Sequence, residues 1–336
     1  MAKISIIGSG SWGTALALVL LQNGHHVILY GRDAQQIETM HASGYNEKYL
    51  PGVSLPDNVA LTNEIAEAAN FGEIHVLAVP SHAFRRKLQE ITTASEKRTY
   101  HIVSVAKGIE NHSLKRMEEV TGEVLADRKF DFTCLSGPSH AEEVAVKIPS
   151  TVVAASANPQ AVHDVQKLFM TPAFRVYSHA DVIGVELGGA LKNVIALAAG
   201  LCDGVGFGDN TKAALMTRGL AEITRLGVAM GANALTFAGL SGMGDLIATC
   251  MSRHSRNRYV GEQIGKGKTL DEVLAGMHMV AEGVRTTKAA YTLAIQNKIE
   301  MPITEKVYAA LFENTSPRTA VAELMTREAK AEKWGY

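Results

Sequence analysis

Cysteine is scarce: Cys134, Cys202 and Cys250 are the only three in 336 residues, far apart and without any CxxC spacing. That excludes a disulfide framework and a cysteine-based metal site, and their apolar or glycine-rich settings predict buried free thiols in a reducing compartment. An excess of either charge is also missing, with 33 Lys plus Arg against 34 Asp plus Glu. No whole-molecule field therefore attracts nucleic acid or an anionic membrane, and an anionic substrate must be gripped by a few placed residues. Met1-Ala2-Lys3 runs straight into Ile4-Ser5-Ile6-Ile7, which leaves no room for the charged and apolar regions of an export signal. The most apolar later stretch, Val182 to Gly208, carries Glu186, Lys192 and Asp203 among its glycines, so a helix buried inside the protein is expected there, not a membrane span. The expectation is a soluble, cytoplasmic protein. Fixed-period repeats, low-complexity segments and a Pro/Ser-rich linker are absent as well.

What is present is a change of pattern near His179-Ala180-Asp181. The length predicts about two domains. Before that point, β-branched runs at Ile4–Ile7, Val27–Tyr30, Ile74–Val79, His101–Val105, Phe132–Ser136, Thr151–Ala154 and Phe174–Tyr177 alternate with amphipathic stretches. The amphipathic stretches are Thr14–Gln22, Asp33–His41, Ser113–Val120 and Pro159–Phe169. Such alternation predicts an α/β, Rossmann-like domain over residues 1–180 with a mostly parallel sheet. Beyond it only helical periodicity remains, from Val182–Cys202 through Pro317–Leu324, predicting an all-α domain over 181–336.

The first strand ends in Gly8-Ser9-Gly10-Ser11-Trp12-Gly13 and a helix begins at once, the context that a dinucleotide loop requires. Gly8 permits the tight turn, Gly10 lets backbone approach a pyrophosphate, and Gly13 lets helix lie close on strand. The second strand closes on Tyr30-Gly31-Arg32-Asp33. Arg32 arrives first and suits a 2′-phosphate, which tilts the expected cofactor toward NADP; Asp33 either bonds an unphosphorylated ribose or caps the following helix.

Open α/β sheets bind ligands at the carboxyl ends of their strands, which directs attention to Val79-Pro80-Ser81, Ala106-Lys107-Gly108 and Ser136-Gly137-Pro138-Ser139. Lys107 either meets substrate there or is a solvated strand-end lysine. Lys192 interrupts an apolar helix where an unpaired ammonium is costly. It either reaches the surface, pairs with Glu186 or Asp203, or faces a ligand as a proton donor with its pKa lowered by burial. Ser255-Arg256-Asn257, with Arg253 ahead, gathers a hydroxyl, a guanidinium, an amide and backbone N–H groups at a helix start. That is equipment for an anion, and positive charge at that end opposes the helix dipole without a stability benefit. Asp245, in Gly242-Met243-Gly244-Asp245, either caps a helix, bonds a substrate hydroxyl or pairs with a lysine.

Together with Val79-Pro80-Ser81-His82, Leu135-Ser136-Gly137-Pro138-Ser139, Gly188-Gly189-Ala190-Leu191-Lys192-Asn193-Val194 and Ser255-Arg256-Asn257-Arg258, these segments give a chain that resembles the bacterial-type NAD(P)-dependent glycerol-3-phosphate dehydrogenases over practically its whole length. The resemblance implies hydride exchange between NAD(P) and glycerol 3-phosphate or dihydroxyacetone phosphate, with no metal, in a cytoplasmic homodimer that supplies phospholipid synthesis. It implies Lys192 as proton donor and acceptor, and Lys107, Gly137, Ser139, Asp245, Ser255, Arg256 and Asn257 as substrate contacts. Cofactor contacts would be Gly8, Gly10, Ser11, Trp12, Gly13, Arg32, Lys107, Ala141, Arg256, Val280 and Glu282. Rival readings are a hydroxyacid or phosphogluconate-type dehydrogenase, and a cofactor-binding sensor without turnover.

Overall fold

Ile4, Ile6 and Ile7 are fully buried on a strand with neighbours on both sides, the apolar run expected of a parallel strand covered on both faces. A computed structural model describes residues 1–277, 279–329 and 331–332. The chain divides into two compact units, one formed by residues 1–106 and 117–182, the other by residues 107–116 and 183–336.

The first unit contains β1 (Lys3–Ile7), α1 (Ser11–Gln22), β2 (His26–Tyr30), α2 (Ala34–Ser43), β3 (Tyr45–Asn46), β4 (Leu50–Ser54) and β5 (Ala60–Thr62). It continues with α3 (Ile65–Phe71), β6 (Ile74–Leu77), α4 (Ser81–Ala94), β7 (Thr99–Ser104), α5 (Met117–Val124), β8 (Lys129–Ser136), α6 (Ala141–Ala145), β9 (Ser150–Ala155), α7 (Pro159–Phe169) and β10 (Phe174–His179). Eight strands form one sheet in the order β10-β9-β8-β7-β6-β1-β2-β5, and every pairing is parallel except β8 with β9. The strand order reverses at β1, between β2 and β6, which is where such sheets open a crevice for a ligand.

The seven anticipated strands are all present. The short β3, β4 and β5 were not anticipated, because Pro51 and Gly52 break the β4 pattern and β5 is three residues long. The helix expected over Ser113–Val120 is corrected to Met117–Val124. Leu114 sits at φ +60 and the Glu110 N–H donates to the Lys115 carbonyl, so residues 110–115 close a turn before the helix starts.

The second unit holds α8 (Val182–Val205), whose first residue closes the first unit, α9 (Asp209–Ala229), a 3-10 turn (Ala234–Ala238), a π turn (Leu240–Gly244) and α10 (Asp245–Met251). It ends with α11 (Arg256–Gly265), α12 (Leu270–Ala275), α13 (Glu282–Asn297), α14 (Pro302–Phe312) and α15 (Pro317–Met325). By length and composition α8 is apolar enough to cross a membrane, yet its residues are almost all buried at the centre of this unit. Leu187, Leu191, Ile195 and Leu197 pack there with Leu226, Phe237, Leu246 and Val260, which fixes α8 as the axis of the unit.

Candidate functional site

In the first unit the turn after β1 is shaped by missing side chains. Gly8 adopts φ +127, and a methyl group on it would overlap the Ala78 carbonyl after β6; one on Gly13 would overlap the Gly8 carbonyl. Gly10 is different: among the described residues nothing lies within 4 Å of where its Cβ would be. No side chain caps the start of α1, so the N–H groups of its first turn, beginning at Ser11, are the natural partners of an anion. Trp12 packs toward Phe174, ring centroids 6.3 Å apart, and its buried indole N–H has no partner among the described residues. A glycine cradle with open space over Gly10 and uncapped helix amides fits a dinucleotide pyrophosphate.

Around this turn, Arg32 is exposed at the end of β2. Asp33 caps α2 by accepting from the Gln36 N–H at 3.3 Å and pairs with Lys48 at 3.2 Å. The backbone hydrogen bond from Gln36 holds the Asp33 carboxyl below its usual range. At the end of β8, Gly137 has φ +129 and backs onto Val152, Ser139 donates its hydroxyl to the Gly137 carbonyl at 2.9 Å, and Ala141 opens α6.

The helical unit collects charge in its interior. Lys192 on α8 donates to Asp245 Oδ1 at 2.8 Å and to the Thr249 hydroxyl, while Lys107 reaches Asp245 Oδ2 at 2.7 Å. The side chains of Lys192 and Asp245 are 6% and 3% exposed and that of Lys107 is 19% exposed, so one carboxylate serves two ammoniums away from bulk water. Neither Glu186 nor Asp203, the partners considered for Lys192, pairs with it. Glu186 binds Arg116 at 2.7 Å, and Asp203 binds Lys212 at 2.9 Å and Arg258 at 2.7 Å. Burial pulls the Lys192 ammonium down to about 8, with the Lys107 charge adding to it and Asp245 opposing. Burial pushes the Asp245 carboxyl up, but the two lysines outweigh it and the net direction is down. An amine poised near neutrality beside a fixed carboxylate can both give and take a proton.

A chain of amides surrounds this group. Asn193 donates to the Lys107 carbonyl at 3.1 Å, Asn257 donates to Asn193 Oδ1 at 2.9 Å, and the Gly283 N–H donates to Asn257 Oδ1 at 2.9 Å. The start of α11 is thereby tied to α8 and to the first turn of α13, which Glu282 opens; Val280 is exposed just ahead of it. Ser255 caps α11 by accepting from the Arg258 N–H at 3.2 Å, and Arg256 is exposed on the first turn. The approach of α11 to α8 depends on paired glycines. Methyl groups on Gly200 and Gly204 would overlap the carbonyls of Arg258 and Glu262, and methyls on Gly261 and Gly265 would strike those of Leu197 and Leu201.

Sequence reasoning missed Thr249 and this glycine crossing. The signals were there: Thr249 follows Asp245 by one helical turn, and both glycine pairs have the i, i+4 spacing that puts two small residues on one helix face.

Comparisons with known proteins agree over both units. Residues 3–162 match the model described as NAD-dependent glycerol-3-phosphate dehydrogenase N-terminus, and residues 181–322 match its C-terminus counterpart. A Thermoanaerobacter protein named glycerol-3-phosphate dehydrogenase [NAD(P)+] is 54% identical over 333 residues, covering 99% of each chain. A protein of the same name from Geobacillus kaustophilus is 54% identical, covering 99% of this chain and 96% of its own. The crystal structure of glycerol-3-phosphate dehydrogenase from Coxiella burnetii superimposes with a TM-score of 0.93 at 36% identity, covering 97% of this chain and 99% of that one. The fold, the glycine cradle and these matches together establish that the chain belongs to the NAD-dependent glycerol-3-phosphate dehydrogenase family.

Proposed function

We propose that the chain interconverts sn-glycerol 3-phosphate and dihydroxyacetone phosphate with NAD(P), residues 1–180 holding the cofactor and residues 181–336 supplying proton transfer and substrate grip. The observation that carries this reading is Lys192, a buried ammonium lowered to about 8 and shared with Thr249 and a carboxylate. Bound NAD(P)H supplies the hydride for the secondary carbon. In reduction, the Lys192 ammonium stabilises charge developing on the carbonyl oxygen and gives it a proton; in oxidation, the neutral amine takes the hydroxyl proton. Asp245, with Lys192 on one carboxylate oxygen and Lys107 on the other, orients the group for that transfer together with Lys107.

Arg256, Ser255 and Asn257 hold the phosphate, so that binding energy remote from the reacting carbon goes into positioning it. Gly137 and Ser139 complete the substrate contacts. Gly8, Gly10, Ser11, Trp12 and Gly13 hold the pyrophosphate and nicotinamide portions of the cofactor, joined by Lys107, Ala141, Arg256, Val280 and Glu282. Arg32 takes a 2′-phosphate and makes NADP the preferred form, because Asp33 is already engaged as a helix cap. The enzyme works as a cytoplasmic homodimer and supplies glycerol 3-phosphate for phospholipid synthesis.

The test is nicotinamide absorbance with dihydroxyacetone phosphate, run in parallel with NADH and NADPH and with a 2-keto acid as the competing substrate class. Consumption with dihydroxyacetone phosphate, faster with NADPH, is expected. No consumption would leave a cofactor-binding sensor, and preference for the keto acid would move the chain to a hydroxyacid dehydrogenase.

A further inference from the structure

Lys107 reaches Asp245 on an arm that leaves the sheet for ten residues: residues 107–116 belong to the helical unit, although residues 1–106 and 117–182 form the other. Ile109 is buried in the helical core and Leu114 packs against it. The arm lies along one face of α8. Its first carbonyl accepts from Asn193, and its last residue, Arg116, pairs with Glu186 at 2.7 Å. Glu186 and Asn193 are seven residues apart, two helical turns or about 10.5 Å along the axis, and so share that face.

The Arg116–Glu186 pair has side chains only 9% and 5% exposed. A buried ion pair gives little net stability over apolar packing of the same volume, and its best-attested use is to fix register. Here the register decides where the Lys107 ammonium stands. Within the arm, Glu110 N–H to Lys115 carbonyl and Leu114 N–H to Glu110 carbonyl close a tight turn, so a displacement at residue 116 is not absorbed before it reaches residue 107.

We propose that Arg116 and Glu186 are positioning residues for the reaction, a buried clamp that holds the arm against α8 and so sets Lys107 on Asp245. The proposal rests on the role given to Lys107 under Proposed function. The charged and titratable groups around Lys192 are Asp245 and Cys250 on α10 and Lys107 on the arm, and of these only Lys107 is moved by the clamp. Loosening it withdraws a cation that lowers Lys192, so the pH at which Lys192 titrates rises.

The experiment compares kcat and its pH profile for glycerol 3-phosphate oxidation in wild type, Glu186→Gln, Lys107→Ala and the double variant. A displacement of order 1 Å is expected to lower kcat by roughly 10- to 100-fold in Glu186→Gln and to move the rising limb of its profile to higher pH. In the Lys107→Ala background the same substitution should cost nothing further, because the clamp acts only through Lys107. An equal loss in both backgrounds, or no loss in wild type while Lys107→Ala is impaired, overturns the clamp and leaves the reading of Lys107 standing. Full turnover by Lys107→Ala overturns that reading and the clamp with it. If Glu186→Gln fails to fold, Arg116→Lys, which keeps the charge but loses the fork geometry, is measured against the same outcomes.

Discussion

In the sheet unit the turn over residues 8–13 is defined by side chains that are missing, and in the helical unit the group around Lys192 is defined by side chains that cannot leave. Gly8, Gly10 and Gly13 keep side chains out of the turn, and the first-turn amides of α1, which no described side chain caps, can be satisfied by an arriving anion or by water. Lys192, Asp245 and Lys107 instead depend on one another, because two ammoniums share a single carboxylate largely away from solvent. The first arrangement tolerates loss of its ligand. The second tolerates loss of a member badly, so substitution should separate the two regions by the size and kind of damage.

The largest effect is expected at Asp245→Asn, which leaves two ammoniums facing each other in the interior. Breaking a buried pair this way costs about 3–5 kcal/mol, read as a fall in the denaturation midpoint, and kcat should drop by roughly 100-fold or more. It should also lower the pH at which Lys192 titrates, since the carboxylate that holds it up is gone. A shift in that direction is opposite to the one expected for Glu186→Gln, which makes the pair of variants a sharp check on how the charges are coupled.

Next in size is Gly8→Ala. Its φ of +127 and the Ala78 carbonyl behind it make a side chain strained, at about 1–3 kcal/mol. Cofactor affinity, measured by nicotinamide fluorescence, should fall while the pH profile of residual turnover stays in place. A moved profile would mean that the two regions are not separable in the way described.

The third expectation concerns pH in the unaltered protein. Because Lys192 sits near 8 and not at its ordinary value of 10.5, glycerol 3-phosphate oxidation should rise through pH 8 and reduction of dihydroxyacetone phosphate should fall there. The stability sign follows from the same shift. The unfolded chain binds the proton more tightly between the two values, so the Lys192 contribution to stability grows as pH rises from about 8 to 10.5. Smallest is Ser255→Ala, which removes the cap of α11 for about 1 kcal/mol and should raise KM for the phosphorylated substrate more than it lowers kcat.

These regions were also unequally legible. The glycine turn could be read directly because its requirements are local: a strand, three glycines at fixed spacing and a helix lie within eleven residues of one another. Lys192 was conspicuous as a charge in an apolar helix, and pairing with a lysine was one of three readings open for Asp245, but nothing local showed which lysine it meets. Asp245 is 53 residues away and Lys107 lies 138 residues from Asp245, separations that no local pattern encodes. Glu186 and Asp203 are nearer in sequence, yet Glu186 lies on another face of α8, where Arg116 meets it, and Asp203 stands three turns further along the helix, where Lys212 and Arg258 meet it. The arm over 107–116 was illegible for the same reason, and the helix expected over Ser113–Val120 failed because Leu114 needs a left-handed backbone that periodicity does not reveal.

The most direct measurement is the turnover of Lys192→Ala together with its cofactor affinity. Loss of kcat by roughly 100-fold or more, with NADPH still binding as in the unaltered protein, is the result expected if this ammonium gives and takes the reacting proton. Near-normal turnover in a folded Lys192→Ala protein would contradict it.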